Sequence, residues 1–317
     1  FELYAGRRRE VVGLVDTLLT SGSYIWSGNA LPIPKVQIAV PEFTAVPFTN
    51  GVLSFIGNFA HGWFENAGRL VKGSYLHQKQ LYLRLGKPSW RFRLFGGANH
   101  LVIWGGESNL IPSNFAVNGR LPSGIEYYPD VVLGLRNSNA YLNDPNLTSF
   151  EVNRIGNHLG TLDVAAEVDL NRWSLMGYRQ FIFDDGSLFR GTNLIDGLNG
   201  LRLKNRRQSG ESAFFLRQLT LEYLYTYSQG GDLFIDNAKQ RGRDDYFNHS
   251  QLIDGWVYHG RTIGTPFLMP YAEVRPTLPG RGGIVNNRLG MIYFGMSALV
   301  HNQWELTTRI SYSRNVG

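Results

Sequence analysis

The stretch Trp304 to Ser313, WELTTRISYS, constrains the fold more than any other part of the chain. Taken two at a time, Trp304, Leu306, Thr308, Ile310 and Tyr312 fall on one side. Glu305, Thr307, Arg309, Ser311 and Ser313 fall on the other. A period of two marks a strand with one apolar and one polar face. Here an aromatic closes each end of the apolar face. Eight steps of about 3.4 Å make roughly 27 Å of strand, and a tilt of about 40° leaves about 20 Å of height. That approaches the apolar band of about 25 Å on outer-membrane barrels, which carry aromatic girdles at both interfaces. A soluble sandwich strand alternates as well, so the pattern has to recur to decide between them.

It recurs. Leu81, Leu83 and Leu85 oppose Tyr82 and Arg84; Lys87-Pro88-Ser89 turns the chain; Phe92 and Leu94 return opposite Arg91 and Arg93, which predicts a hairpin. Leu162, Val164, Ala166, Val168 and Leu170 oppose Asp163, Glu167 and Asp169. Three acids on one face are costly in a dry core, so these are expected to face a watery lumen and to pair with arginine. Leu219, Leu221, Tyr223, Tyr225 and Tyr227 oppose Gln218, Thr220, Glu222 and Thr226. Further strands are read at Phe1–Gly6, Lys35–Val40, Val52–Phe64, Leu94–Gly106, Trp173–Phe183, Tyr271–Val274 and Leu289–Leu299, and around Tyr258. Pro41 and Pro47 are expected to end the second of these. Thr20–Pro34, Glu107–Pro129, Gly186–Gly200 and Gln229–Gln251 are polar, Gly-, Pro- or Asn-rich, and read as long loops. Long loops alternating with short turns are what the two rims of a barrel require, whereas such loops are uncommon in compact domains. No convincing helical period and no internal repeat is visible.

Of 317 residues, no apolar run (Leu101–Trp104 is typical) is long enough for a membrane helix, so a bilayer could be crossed only by a closed barrel. The expectation is an all-β, antiparallel transmembrane barrel of the outer membrane, of about 16–18 strands when complete, with long loops on one rim. The chain is read as one such domain over residues 1–317, incomplete at one or both ends, because it opens at Phe1 already inside a strand pattern. The formal charge of +6 comes from 25 Arg and only 6 Lys, most of the arginines scattered singly along strands apart from the run Arg7-Arg8-Arg9 and the pair Arg206-Arg207. Nucleic-acid binding calls for a basic patch or a recognisable module, and neither is visible. Arginine's planar fork suits carboxylates, on neighbouring side chains or on acidic sugars. With no cysteine, disulfides and thiolate chemistry are excluded.

His249 and His259 near Asp244, Asp245 and Asp254 lack the spacing of a metal motif, and no metal or other cofactor is expected. Asp184, Asp185, Glu126 and Asp130 could form a carboxylate pair, but any acid-bearing β protein offers such pairs, and no nucleophile motif is present. An enzyme is therefore not expected. Sugar binding has a looser signature, aromatic platforms beside polar side chains on loops. It selects Trp26, Asn29, Trp63, Asn99, Trp104, Glu107, Arg154, His158, Trp256 and Arg261. Tryptophans near strand ends also serve a membrane-interface girdle, so both readings stay open.

The segments FELYAGRRRE (Phe1–Glu10), SYIWSGNALPIP (Ser23–Pro34), YLHQKQLYLRLGKP (Tyr75–Pro88), GGANHLVIWGG (Gly96–Gly106) and VNRIGNHLGTLD (Val152–Asp163) resemble the capsule-assembly Wzi family in its Bacteroidetes-type form. The resemblance spreads over almost the whole chain. It implies an outer-membrane barrel of about eighteen strands with a lectin-like role, holding capsular or other surface polysaccharide without making or breaking bonds. It also implies a small helical portion on the periplasmic side, which is not found in this sequence. The partners expected are the polysaccharide, the outer-membrane bilayer and possible other outer-membrane proteins. The alternatives are a porin-like channel for small polar solutes and a structural subunit of a larger outer-membrane complex.

Overall fold

A computed structural model describes all residues except 136–143, 149, 152–153, 185–190, 208–212, 232–243, 276, 278–281, 302 and 317. The chain is all-β. Strands β1 (Glu2–Gly6), β2 (Lys35–Ala45), β3 (Leu53–Trp63), β4 (Tyr75–Leu85) and β5 (Phe92–Trp104) come first. Two short strands, β6 (Gly106–Glu107) and β7 (Arg120–Leu121), and the helix α1 (Tyr128–Leu133) follow. Next are β8 (Asn157–Leu170), β9 (Trp173–Asp184), β10 (Gly197–Asn205) and β11 (Phe214–Tyr225). Four short strands, β12 (Val257–Tyr258), β13 (Arg261–Thr262), β14 (Met269–Pro270) and β15 (Ile284–Asn286), precede β16 (Leu289–Val300) and β17 (Trp304–Asn315).

The eleven longer strands, β1–β5, β8–β11, β16 and β17, form one antiparallel sheet in which each pairs with the next along the chain. Segments 46–52, 86–91, 171–172, 206–213 and 301–303 link them at one end; segments 7–34, 64–74, 105–156, 185–196 and 226–288 link them at the other. The alternation of short turns and long loops read from the sequence is thus present. Pro41 does not end β2, which runs on to Ala45. The proline sits in a bulge where the register with β3 shifts between Val40 and Thr44, so no ladder N–H is required of it. Tyr271–Glu273, read as a strand, is a single 3-10 turn.

The two faces of the sheet differ in kind. One is bare and apolar: Leu81 is 53% exposed, Leu221 50% and Ile310 62%, and Val36, Ile38, Phe59, Leu83, Leu94, Leu162, Val164, Leu201, Ile292 and Phe294 are exposed too. The other is polar and, except on β17 where it is exposed, largely buried, with Gln37, Gln78, Asn99, Asp163, Gln180, Thr220 and Glu222 all covered. What covers it is the chain itself. Residues of segment 7–34 (Val12, Leu14, Tyr24, Ile25) and of segment 226–288 (Tyr246, Phe247, Trp256, Leu268) share one core with Leu76, Leu101 and Leu159 of the sheet. Thr20–Pro34, read as a loop, is therefore interior.

Two matching rows of three residues hold segment 7–34 in place. In one, Tyr82 of β4, Gly97 of β5 and Asp163 of β8 lie side by side. In the other, Tyr178 of β9, Gly200 of β10 and Glu222 of β11 do. Each tyrosine lies across the glycine to donate to the acid, Tyr82 Oη to Asp163 at 3.0 Å and Tyr178 Oη to Glu222 at 2.6 Å. A Cβ on either glycine would stand 2.5 Å or less from an atom of the tyrosine ring, so only glycine permits the crossing. The acids in turn accept backbone N–H groups of the interior segment: Leu14 at 2.9 Å on Asp163, Ser21 at 2.5 Å on Glu222. Gln180 adds a bond to Asp163 and accepts the Tyr24 N–H, both within 2.9 Å. The three acids of β8 thus divide. Glu167 and Asp169 pair with arginine as expected, at 3.1 and 2.9 Å from Arg93, with Arg202 2.5 Å from Glu167. Asp163 instead answers to neutral donors, because the interior segment occupies the space beside it.

Candidate functional site

The bare face loses its apolar character at the long-loop end of β3, β4, β5 and β8. There His77, Lys79, His100 and His158 lie on the face that is hydrocarbon-like elsewhere. Part of segment 105–156 shields them. The sequence Tyr-Pro starts α1 and Gly134 ends it in the left-handed conformation at φ 64°, its N–H returning to Asp130 O at 2.8 Å. Lys79 Nζ meets the carbonyl of Val132, and Tyr128 Oη lies 3.3 Å from His77 Nδ1. His158 Nε2 donates to Ile155 O at 2.8 Å, which leaves its Nδ1 to accept from His100 Nε2 at 3.0 Å. Val102, Trp104, Tyr127, Val131 and Ile155 form a second apolar core beneath this cover.

A groove runs from this cover along the loops. Its floor starts with a row of aromatics on three adjacent strands, Trp63 beside Tyr75 beside Trp104. The Tyr75 and Trp104 rings are 5.0 Å apart, and His61 sits 4.9 Å from Trp63. With Tyr128 and Ser123 these enclose an open cavity of about 380 Å³. Trp63 forms an accessible wall at 42% exposure, and Trp104 a floor at 3%. Ser123 also lines a neighbouring cavity of about 400 Å³ with Asn66, Lys72, Glu107 and Arg120. Lys72, Glu107 and Arg120 pass on to a third of about 630 Å³ that adds Asn109 and Asn118.

The polar end is built by backbone pairing. Lys72 and Glu107 exchange N–H···O bonds of 3.0 and 2.8 Å, and Glu107 opposes Arg120 across the β6–β7 pair, with its carboxylate 3.5 Å from Arg120 Nε. Gly106 makes this crossing possible, because at φ 102° a Cβ there would meet Lys72 O at 2.7 Å. At the far edge Arg69 donates to Val257 O at 2.8 Å, and Asp254 accepts the Leu70 and Val71 N–H groups at 3.0 and 2.8 Å. Burial lowers the Arg69 pKa, opposed by the nearby Asp254 carboxylate. The result is an aromatic platform continuous with a charged, amide-rich channel.

Of the ten residues selected from the sequence, Trp63, Trp104 and Glu107 come together here. The others do not. Trp26 is buried in the interior segment with Lys35 Nζ 5.1 Å from its ring centroid, and Asn29 donates to Thr262 O at 3.0 Å, tying that segment to β13. Asn99 is buried on the polar face opposite Thr161, and Trp256 is fully enclosed in the core. Trp26, Asn29 and Trp256 stand on segments that turn inward over the polar face of the sheet, and Asn99 of β5 lies on that same face. His158 is sealed beneath α1, Arg154 stands outside the groove at the approach to β8, and Arg261 is exposed on β13 away from it. Asp185 lies outside the described residues. Among the described residues no three His, Asp or Glu side chains converge as metal ligands would. His61, Lys72, Tyr75, Arg120 and Tyr128 were missed. Tyr75 carried a usable signal, because an aromatic begins β4 where aromatics end β3 and β5. Protein-family models and curated proteins were both compared with this chain, and neither gives a match.

Proposed function

We propose that the chain is an outer-membrane β-barrel protein whose bare face meets lipid, and that its long-loop groove holds surface polysaccharide without cutting it. The barrel reading is supported by the apolar face, which extends over nearly every long strand and far exceeds the patch of a few hundred Å² usual on a soluble monomer. Aromatics stand toward both ends of that face: Trp90, Trp173 and Trp304 near the short turns; Trp63, Tyr223 and Tyr312 near the long loops. The resemblance to the capsule-assembly Wzi family points the same way. Filling of the concave side by segments 7–34 and 226–288 favours a holding role over a porin-like channel, since little of that side remains for solutes.

The observation that carries the binding role is the continuity of the groove. A girdle of aromatics alone needs no polar channel behind it, whereas a sugar chain needs both a stacking face and partners for its hydroxyl and carboxylate groups. Trp63 and Tyr75 supply the first; Lys72, Glu107, Asn109 and Arg120 supply the second. The test is binding of polysaccharide from the producing cell's surface to the purified protein. Trp63→Ala with Arg120→Ala is expected to weaken binding by about tenfold or more, in line with about 1 kcal/mol for each contact. Unchanged binding in that double variant removes the groove from the account. Planar-bilayer recordings of wild type are expected to be nearly silent, and steady ion conductance would favour the channel.

A further inference from the structure

At the opposite, short-turn end the polar side holds a cavity of about 570 Å³ among β10, β11, β16, β17 and the tip of segment 7–34. Among the described residues, four cations line it, Lys204, Arg207, Arg217 and Arg309, against one carboxylate, Glu305. Arg217 lies 3.0 Å from Glu305, and Arg309 donates to Leu18 O at 2.7 Å. Neither Lys204 nor Arg207 meets a carboxylate among the described residues. The excess contrasts with the next inward group along the sheet, where Arg93, Arg202 and Arg206 are matched by Glu167 and Asp169.

The arrangement is specific to this place. The register of β11 with β16 shifts between Leu216 and Gln218, so Arg217 is the extra residue of a bulge, the device by which a strand re-aims a side chain. The floor is polar and ordered: Asn205 donates to Leu216 O at 2.9 Å, and Gln218 reaches the Asp16 carboxylate of the interior segment. Like charges held around one cavity repel, and an oxyanion between them relieves that repulsion while accepting from guanidinium forks shaped for carboxylate or phosphate.

We propose that this cavity binds an oxyanion, a phosphate or carboxylate group carried by a larger ligand. The proposal concerns the end of the sheet remote from the groove and does not rest on the groove's role. Calorimetric titration of the detergent-solubilised chain with inorganic phosphate, and separately with glucuronate, at ionic strength held constant with chloride, is the test. Saturable binding of either probe in the millimolar range or tighter is expected, and the preferred probe identifies the source of the oxyanion. Lys204→Met with Arg207→Met is expected to weaken it about tenfold or more, as loss of charge-assisted bonds requires, while Arg8→Met, at an exposed arginine paired with Glu2 of β1, leaves it unchanged. Absence of saturable binding by both probes, or equal loss in the Arg8 variant, would overturn the proposal.

Discussion

Leu221 and Glu222 are neighbours in the chain and meet opposite worlds. Leu221 stands half exposed among Leu201, Ile292 and Phe294, while Glu222 is buried and holds Ser21 N–H, Thr20 Oγ1 and Tyr178 Oη. The contrast between these two faces recurs along the sheet. It teaches that from β2 to β16 the chain covers the polar side of its sheet with its own segments and leaves the apolar side bare. Where the bare face turns polar around His77, Lys79, His100 and His158, α1 covers it.

The largest effect is expected on the bare face. Leu221→Arg places a charge in the middle of the apolar band and should cost about 2–4 kcal/mol of folding stability in lipid vesicles. If the same variant unfolds no more readily than wild type in vesicles, that face is not in hydrocarbon. On the covered face, Glu222→Ala leaves three donors without their acceptor and should cost about 1–3 kcal/mol, with faster amide exchange confined to the interior segment around Ser21. Exchange rising uniformly over all strands would contradict a local latch. Lys79→Met removes the cation bound at the end of α1 and should cost about 1 kcal/mol, read as earlier proteolysis between Ile125 and Leu135.

A further effect is a pH dependence in the long loops. Burial lowers His249 to about 4, and its neutral Nδ1 accepts from the Gln251 N–H at 3.3 Å. Because the folded value lies below the unfolded one of about 6.5, this contribution is complete above that pH. It is then lost as pH falls from about 6.5 toward 4, where the folded state resists the proton that the unfolded state accepts. Thermal unfolding followed between pH 7 and pH 4 should show a shallower decline in His249→Gln than in wild type.

The alternation of Leu81–Leu85, Leu162–Leu170 and Trp304–Tyr312 was enough to read the strands and their two faces, because a period of two leaves no other regular structure. The interior segment was not legible. Its Ser, Gly, Asn and Pro residues read as a surface loop, and only Asp163, Gln180 and Glu222, far away in the chain, supply the partners that make burial of its backbone tolerable. The same distance explains the groove. Trp63, Trp104 and Glu107 advertised themselves by residue type. Lys72 and Arg120 joined them only through pairings across β6 and β7, which no local pattern encodes. Tyr82 and Gly97 likewise gain meaning only once register sets them beside Asp163.

The central claim is that hydrocarbon wets the apolar face of this sheet. Since the chain has no cysteine, single spin labels can be placed cleanly at Leu221→Cys and Ile310→Cys on that face, and at Ser311→Cys beside the second. In vesicles, the two labels on the apolar face should be relaxed strongly by dissolved oxygen and weakly by a water-soluble nickel chelate, with the reverse at position 311. Equal access of the nickel chelate to all three positions would contradict the account.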